Sequence, residues 1–382
     1  MGYRYLRFTE KYKLNYLFVI ELFFLLGFFS FTYTYNIYIF YGISLLPLIL
    51  IKRQTDIFIL AVFYILFILT VPFFFIHDGR ASFRIIKTAV VFLPLLSVYS
   101  LNNPQYRLSK AFYWFMMIAA LLVCIDFVLY FITGTMIMGG TESGFLPRPR
   151  GLMEDSNFFS YLMLVYIFYL KKQEGRYNYL LVLSLILSGS LAAISCFLLL
   201  SLFYRFTDHV KLSKSKLIKY LTLIITGISF FVYFNTAFNY NKIMENVEVS
   251  EMDGLEKVKF YSLMLRFGAQ NEALMLIDSP SKILFGIGAG NTKNFTEREM
   301  NLHNTYLQLF LEQGLIVFVL FALLILLMAL KIHDTYYVIL FCVIFMLGTI
   351  LEVFYFPLLS FIFFISHFSN KGLYEDRVRA II

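Results

Sequence analysis

Charge is scarce in this chain. Only 15% of its 382 residues are Asp, Glu, Lys or Arg, against about 25% in soluble globular domains, which argues against a water-soluble fold. Cysteine is scarcer still. Cys124, Cys196 and Cys342 each sit inside an apolar run without partner spacing, so neither a disulfide framework nor a thiolate metal site is expected. G-x-x-x-x-G-K-[ST] and H-E-x-x-H are both missing, which removes an ATP-driven pump and a zinc peptidase. D-x-D, the metal–nucleotide clamp of sugar-nucleotide transferases, is absent as well. No cofactor, nucleotide or metal is therefore expected. Repeats, low-complexity tracts and long flexible linkers are lacking too, so residues 1–382 read as one integral membrane domain.

What fills the chain instead is apolar: 60% of residues are hydrophobic and the mean hydropathy is +0.75. Runs of membrane-crossing length recur at about 14–32, 35–51, 57–76, 83–101, 111–132, 157–170, 178–189, 190–204, 217–235, 304–330, 335–349 and 350–368. The seventh and eighth are short and meet at Ser188-Gly189-Ser190, so they also read as one broken hairpin. The expected fold is an all-α polytopic membrane protein of about twelve transmembrane helices.

The net charge of +8 reads as a topology signal and not as a nucleic-acid footprint. Alternating the spans from an inner N-terminus puts Lys52-Arg53, Arg107, Lys110, "KKQEGR", "YRFTDHVKLSKSK", Lys331 and "RVR" on the cytoplasmic side, as basic loops require. Both termini are then cytoplasmic, and no cleavable signal peptide is expected. Two segments fall together on the outer side. One is 133–156; the other is 236–303, a long external loop.

Chemistry-bearing residues gather in four places. In "RPRGLMEDSNFF" (148–159), prolines keep the chain extended, Asp155 or Ser156 can cap a helix starting near Asn157, and Arg150 stands at the lip of the bundle. An arginine on the side away from anionic cytoplasmic lipid suits an anionic ligand, whereas Asp155 reads equally as a plain cap. In "LEKVKFYSLMLRFGAQNEALMLI" (255–277), Lys259, Ser262, Arg266 and Gln270 form one polar stripe on an amphipathic helix. Such a helix lies on the bilayer or folds onto the bundle, with Arg266 either functional or merely solvated. In "NLHNTYLQLFLEQG" (301–314), Asn304, Gln308 and Glu312 share a face below His303. His303 is a candidate base or a simple hydrogen-bonding residue, and Glu312 a rival base or a buried strut. Arg80, Arg84 and Lys87 form a cationic stripe at the outer end of the fourth span. Snorkelling accounts for the arginines, while Lys87 needs an acidic or phosphate partner. The glycine run "GIGAG" (286–290) reads as a turn.

The order of "RPRGLMEDSNFFSYLM", "SLMLRFGAQNEALMLIDSPSKILFGIGAGN" and "HNTYLQLFLEQGLIVFVLF" resembles the O-antigen polymerase (Wzy-type) and O-antigen ligase superfamily. The resemblance covers the last two-thirds of the chain. It implies a GT-C-like fold and inverting, metal-independent glycosyl transfer at the periplasmic face of a bacterial inner membrane. Both donor and acceptor would be undecaprenyl-diphosphate-linked glycans, and a chain-length regulator is a partner the family allows for. By position, Arg150, Arg266 and His303 take the catalytic roles. The basic stripe of Arg80, Arg84 and Lys87, with Asp155, Asn157, Asn304 and Glu312, takes substrate binding. Where the family often has an arginine after "LSGS", this chain has Leu191. Two other readings stand beside the polymerase: a ligase moving glycan to a lipid A core or another acceptor, and a polysaccharide transporter or flippase.

Overall fold

A computed structural model describes residues 17–22, 24–25, 28, 108–143, 146–153, 155–210, 216–240, 254–288, 292, 304–332, 334–349 and 358–369. The spans expected at 35–51, 57–76 and 83–101, the stripe of Arg80, Arg84 and Lys87, and His303 lie outside the described residues.

The described chain is mostly helical, in the order α1 (Lys110–Thr133), β1 (Gly140–Ser143), β2 (Leu146–Pro149), α2 (Ser156–Glu174), α3 (Tyr179–Leu187), α4 (Leu191–Val210), α5 (Lys216–Phe238), α6 (Gly254–Met275), α7 (Pro280–Phe285), α8 (Thr305–Lys331), α9 (Thr335–Leu347) and α10 (Leu358–Ser369). Two of these, α1 and α8, are long and apolar enough to cross a membrane. At 1.5 Å per residue the 24 residues of α1 reach roughly 36 Å, whereas the 27 residues of α8 are divided at Gly314. Shorter apolar helices occupy Leu191–Arg205, Lys219–Tyr233 and Thr335–Leu347.

Helix α2 is the axis of the packing. Every residue from Phe159 to Leu170 is buried, and a helix apolar all round belongs in the interior. Its flanking helices turn apolar faces outward: Trp114, Ile118, Leu121 and Val128 on α1, and Ile224, Ile228 and Phe231 on α5, are exposed. Helix α3 ends after nine residues at Ser188-Gly189-Ser190, and α4 begins at Leu191. Gly189 has φ +68° there, a conformation that glycine adopts without strain. Among the described residues, the expected helix of the long loop folds onto the bundle. Ala269, Ala273 and Leu274 pack on Leu307 and Leu311 of α8, and Phe267 packs on Tyr233 of α5.

One end of this bundle is basic. Lys172, in the last turns of α2, pairs with Asp334 between α8 and α9 at 3.0 Å. Lys219 of α5 donates to the carbonyls of Leu330 and Ile332 at 2.6 and 2.7 Å, satisfying the open end of α8. Tyr204 donates to the Tyr336 carbonyl and Tyr336 to that of Phe168, both at 2.8 Å, with the two tyrosine rings stacked 3.8 Å apart.

Two features depart from an all-α expectation of regular helices. Strands β1 and β2 pair antiparallel, with Thr141 opposite Arg148 and Glu142 opposite Pro147. Pro147 and Pro149 keep this stretch out of helix, since each lacks an N–H and fixes φ. The second departure is a break in α8 at Gly314, where φ is +81° and ψ 173°. A Cβ at Gly314 would sit 2.2 Å from the Leu284 carbonyl oxygen. The first part of the "GIGAG" turn therefore docks backbone to backbone on the break. Ile287 and Gly288 donate their N–H groups to the carbonyls of Leu311 and Glu312 at 2.8 and 3.1 Å, which the interrupted helix no longer uses.

Candidate functional site

The end of the bundle remote from Lys172 and Asp334 collects the hairpin, the 188–190 turn, the middle of α6 and the start of α8. Asp155 caps α2 there, accepting from the Asn157 N–H at 2.6 Å. Its capping role is thus realised. Asn157 uses its side-chain oxygen to accept from Arg148 Nη2 at 2.8 Å. The side chain of Arg148 crosses the 188–190 turn so closely that a Cβ on Gly189 would lie 2.9 Å from its Cγ. Its Nε is buried without a hydrogen-bond partner, and among the described residues no carboxylate pairs with it.

Serine hydroxyls gather at the same turn. The Ser160 and Ser188 hydroxyls lie 2.5 Å apart; one donates to the other, which donates to its own helix carbonyl, of Ser156 or Leu185. Ser190 is 1% exposed, and its hydroxyl faces that of Tyr161. Arg266 acts on the Tyr233 hydroxyl. It is half-buried and, among the described residues, no ion pair engages it. Arg148 thus touches Asn157 and the 188–190 turn, while Arg266, on α6, stands near the Tyr161 and Tyr233 hydroxyls.

Arg150 sits differently. Its Nε donates to the Met138 carbonyl at 3.0 Å, and its guanidinium lies over Gly139, where a Cβ would be 3.1 Å from Nη2. The arginine singled out by sequence thus grips the approach to the hairpin, while its neighbour two positions earlier reaches the turn between α3 and α4.

The start of α8 is tied to α6 and α5. Asn304 caps α8 through the N–H groups of Tyr306 and Leu307 and donates to Gln270 at 3.2 Å. Gln270 in turn donates to the Tyr233 hydroxyl at 3.1 Å. Glu312, 2% exposed, accepts from Thr292 at 2.6 Å and from Gln308 at 3.0 Å. This places Glu312 as a strut between the loop and α8, inside a network where each bond polarises the next. The Gln308 and Gln313 side-chain oxygens are buried without hydrogen-bond partners among the described residues.

Outside the helices that could cross a membrane, Lys282 donates to Asp278 at 2.8 Å. That bond holds the Asp278 carboxyl below its ordinary range. No group of three or more His, Cys, Asp or Glu side chains gathers among the described residues.

Sequence reasoning did not single out Arg148, Tyr161 or Ser190. Arg148 stands between Pro147 and Pro149, a pattern that keeps the stretch extended. Tyr161 and Ser190 carry no comparable mark. Searches of protein-family models, curated proteins and solved structures match nothing to this chain.

Proposed function

We propose that this chain is a polytopic membrane glycosyltransferase of about twelve spans. It would join undecaprenyl-diphosphate-linked oligosaccharide repeat units at the outer face of the inner membrane. The observation that carries the reading is Arg148, held on Asn157 and the 188–190 turn with its Nε buried and no carboxylate paired with it among the described residues, at the end of the bundle opposite the Lys172–Asp334 pair.

The chemistry suits that arrangement. In inverting transfer, an acceptor hydroxyl oxygen bonds to the anomeric carbon as the bond to the diphosphate oxygen breaks. The electron pair stays on the diphosphate and the hydroxyl proton passes to a base. Negative charge thus grows on a phosphate oxygen, and guanidinium groups stay protonated and donate in a fork that matches it. Each such contact contributes about 2–4 kcal/mol at the transition state when made in a dry, fixed site. Arg148 and Arg266 take that role here. Asn157 holds Arg148 in place, and Asp155 sets the start of the helix that carries Asn157. Asn304 anchors the helix start just after His303, the residue assigned as base. Glu312 keeps the adjoining loop docked. The Tyr161 and Ser190 hydroxyls face the region where phosphate or sugar oxygens would sit. Arg80, Arg84 and Lys87 would extend the cationic path for the lipid diphosphate.

The test is reconstitution of the full chain in lipid with lipid-linked repeat units as the sole glycan. A ladder of longer lipid-linked products is the expected result. Product appearing only when a different acceptor is added would reassign the protein as a ligase. Movement of intact repeat units across the bilayer with no new glycosidic bond would make it a transporter.

A further inference from the structure

The hairpin that carries Arg148 has little of its own to hold it. Its strands are four residues each, and a lone two-stranded ribbon is marginal in water. Something must fix it against the bundle, and a buried carboxylate stands where it would do so. Asp126 of α1 is 1% exposed, in the middle of an apolar helix where an acidic side chain is costly unless it is satisfied. Its partners are backbone N–H groups of the segment leading into β1. Ile137 donates to Oδ1 at 2.9 Å, and Met138 to Oδ1 and Oδ2 at 3.3 and 3.1 Å.

The same residue is gripped from the other side. Arg150 Nε donates to the Met138 carbonyl at 3.0 Å, and the Arg150 N–H donates to the Gly139 carbonyl at 3.4 Å. Met138 is therefore held at both of its backbone polar groups, by an anion on α1 and by a cation just beyond β2. Two glycines fit this closure. Gly139 has φ +77° and lies under the Arg150 guanidinium, and Gly151 brings the chain within van der Waals contact of Val123, one turn from Asp126 on α1. The result is a clasp: helix, entering strand and exit turn joined at one residue, with Arg148 two positions before Arg150.

We infer that Asp126 and Arg150 are positioning residues that clasp the hairpin through Met138 and so aim Arg148 at the 188–190 turn. This inference rests on the glycosyltransferase reading only for its effect on catalysis; the clasp itself stands on the contacts above. It also separates two neighbouring arginines by role, one turned to the ligand and one to the backbone.

The experiment uses the full chain in lipid nanodiscs with lipid-linked repeat units as substrate, and two readouts. Hydrogen–deuterium exchange over 134–150 reads the clasp directly. Asp126→Ala and Arg150→Ala are each expected to speed exchange there about tenfold, the worth of roughly one lost hydrogen bond, with the helices unchanged. Asp126→Asn, which keeps the shape and one acceptor, should fall between. The Asp126→Ala/Arg150→Ala pair should be less than additive, because both act through Met138. Polymer formation reads the consequence. Asp126→Ala should lower the rate about tenfold, and Arg150→Gln should restore most of what Arg150→Ala loses, because a neutral donor still reaches a carbonyl. Arg148→Gln should not show such recovery. Unchanged exchange in both alanine variants overturns the clasp, whatever the enzyme does. Arg150→Gln as inactive as Arg148→Gln makes Arg150 a ligand contact and overturns its positioning role. A wild-type chain that makes no polymer defeats the glycosyltransferase reading, and the exchange data still decide the clasp.

Discussion

The two ends of the bundle handle polar groups in opposite ways. At the basic end, Lys172 meets Asp334, Lys219 meets two helix carbonyls, and Tyr204 and Tyr336 each donate to a backbone oxygen. At the other end, Arg148 Nε and the side-chain oxygens of Gln308 and Gln313 are buried with no hydrogen-bond partner among the described residues. An unpaired buried polar group costs about 1–3 kcal/mol. On the function proposed above, the end that handles the glycan would carry that cost and the basic end would hold the fold.

The sharpest way to break that contrast is to remove cations at the unpaired end. Arg148→Ala and Arg266→Ala should each cut polymer formation by about 30- to 1,000-fold, the equivalent of 2–4 kcal/mol. His303→Ala should do the same or worse. Each variant should insert, and melting should fall by no more than the one Asn157 hydrogen bond that Arg148→Ala gives up, about 1 kcal/mol. Normal polymer in all three would end the assignment; a lowered melting temperature in step with lost activity would move these residues to the structural side.

Next in size is the break in α8. Gly314 combines a left-handed φ of +81° with a backbone oxygen 2.2 Å from where a Cβ would stand. Gly314→Ala should cost about 3 kcal/mol of stability through strain and forced displacement. Thermal unfolding in detergent checks this, and a shift under about 1 kcal/mol would show that the 284–288 loop can leave α8 freely.

Much of the helical frame was legible in the sequence. Apolar runs at 111–132, 178–189, 190–204, 217–235, 304–330 and 335–349 lie within a few residues of α1, α3, α4, α5, α8 and α9, because chain hydropathy is a local property. The stripe through Arg266 and Gln270 was equally plain on α6. Other features were hidden because their causes are not local. Strand pairing at 140–149 sets which of two arginines reaches the 188–190 turn, and that pairing is a contact between segments. The break at Gly314 needs Leu284 beside it. Tyr161 and Ser190 meet from α2 and from the turn before α4, so neither residue is marked by its own neighbours. Leu191, which stands where the family resembled in sequence often has an arginine, is exposed at the start of α4.

At the basic end, Asp334→Ala removes both the Lys172 ion pair and the cap on α9, where Asp334 accepts from the Tyr336 N–H at 3.0 Å. The pair is 26% and 9% exposed, so the loss should be about 1–3 kcal/mol, most of it from the cap and the less exposed carboxylate. Polymer formed per folded molecule should stay at the wild-type level. A selective loss of activity without a loss of stability would mean that the satisfied end also takes part in the reaction, and the division between the ends would fail.

The smallest effect belongs to a pair that lies in the long loop yet is fully matched, Asp278 and Lys282. If satisfied partners mark structure, this pair should be irrelevant to glycan transfer despite its position. Its contribution to stability should also carry a definite sign with pH. The Lys282 hydrogen bond holds the Asp278 carboxyl below its usual 3.8, so the folded chain binds that proton less readily than the unfolded one. The stabilisation is complete above the unfolded value and disappears as pH falls through the lower folded value. Wild type and Asp278→Asn should therefore differ slightly in melting temperature near neutrality and converge in acid, with salt shrinking the gap because the pair is exposed. Convergence on raising the pH instead would show that the carboxyl is not held down by Lys282, and unequal polymer formation at neutral pH would bring the loop pair into the reacting end.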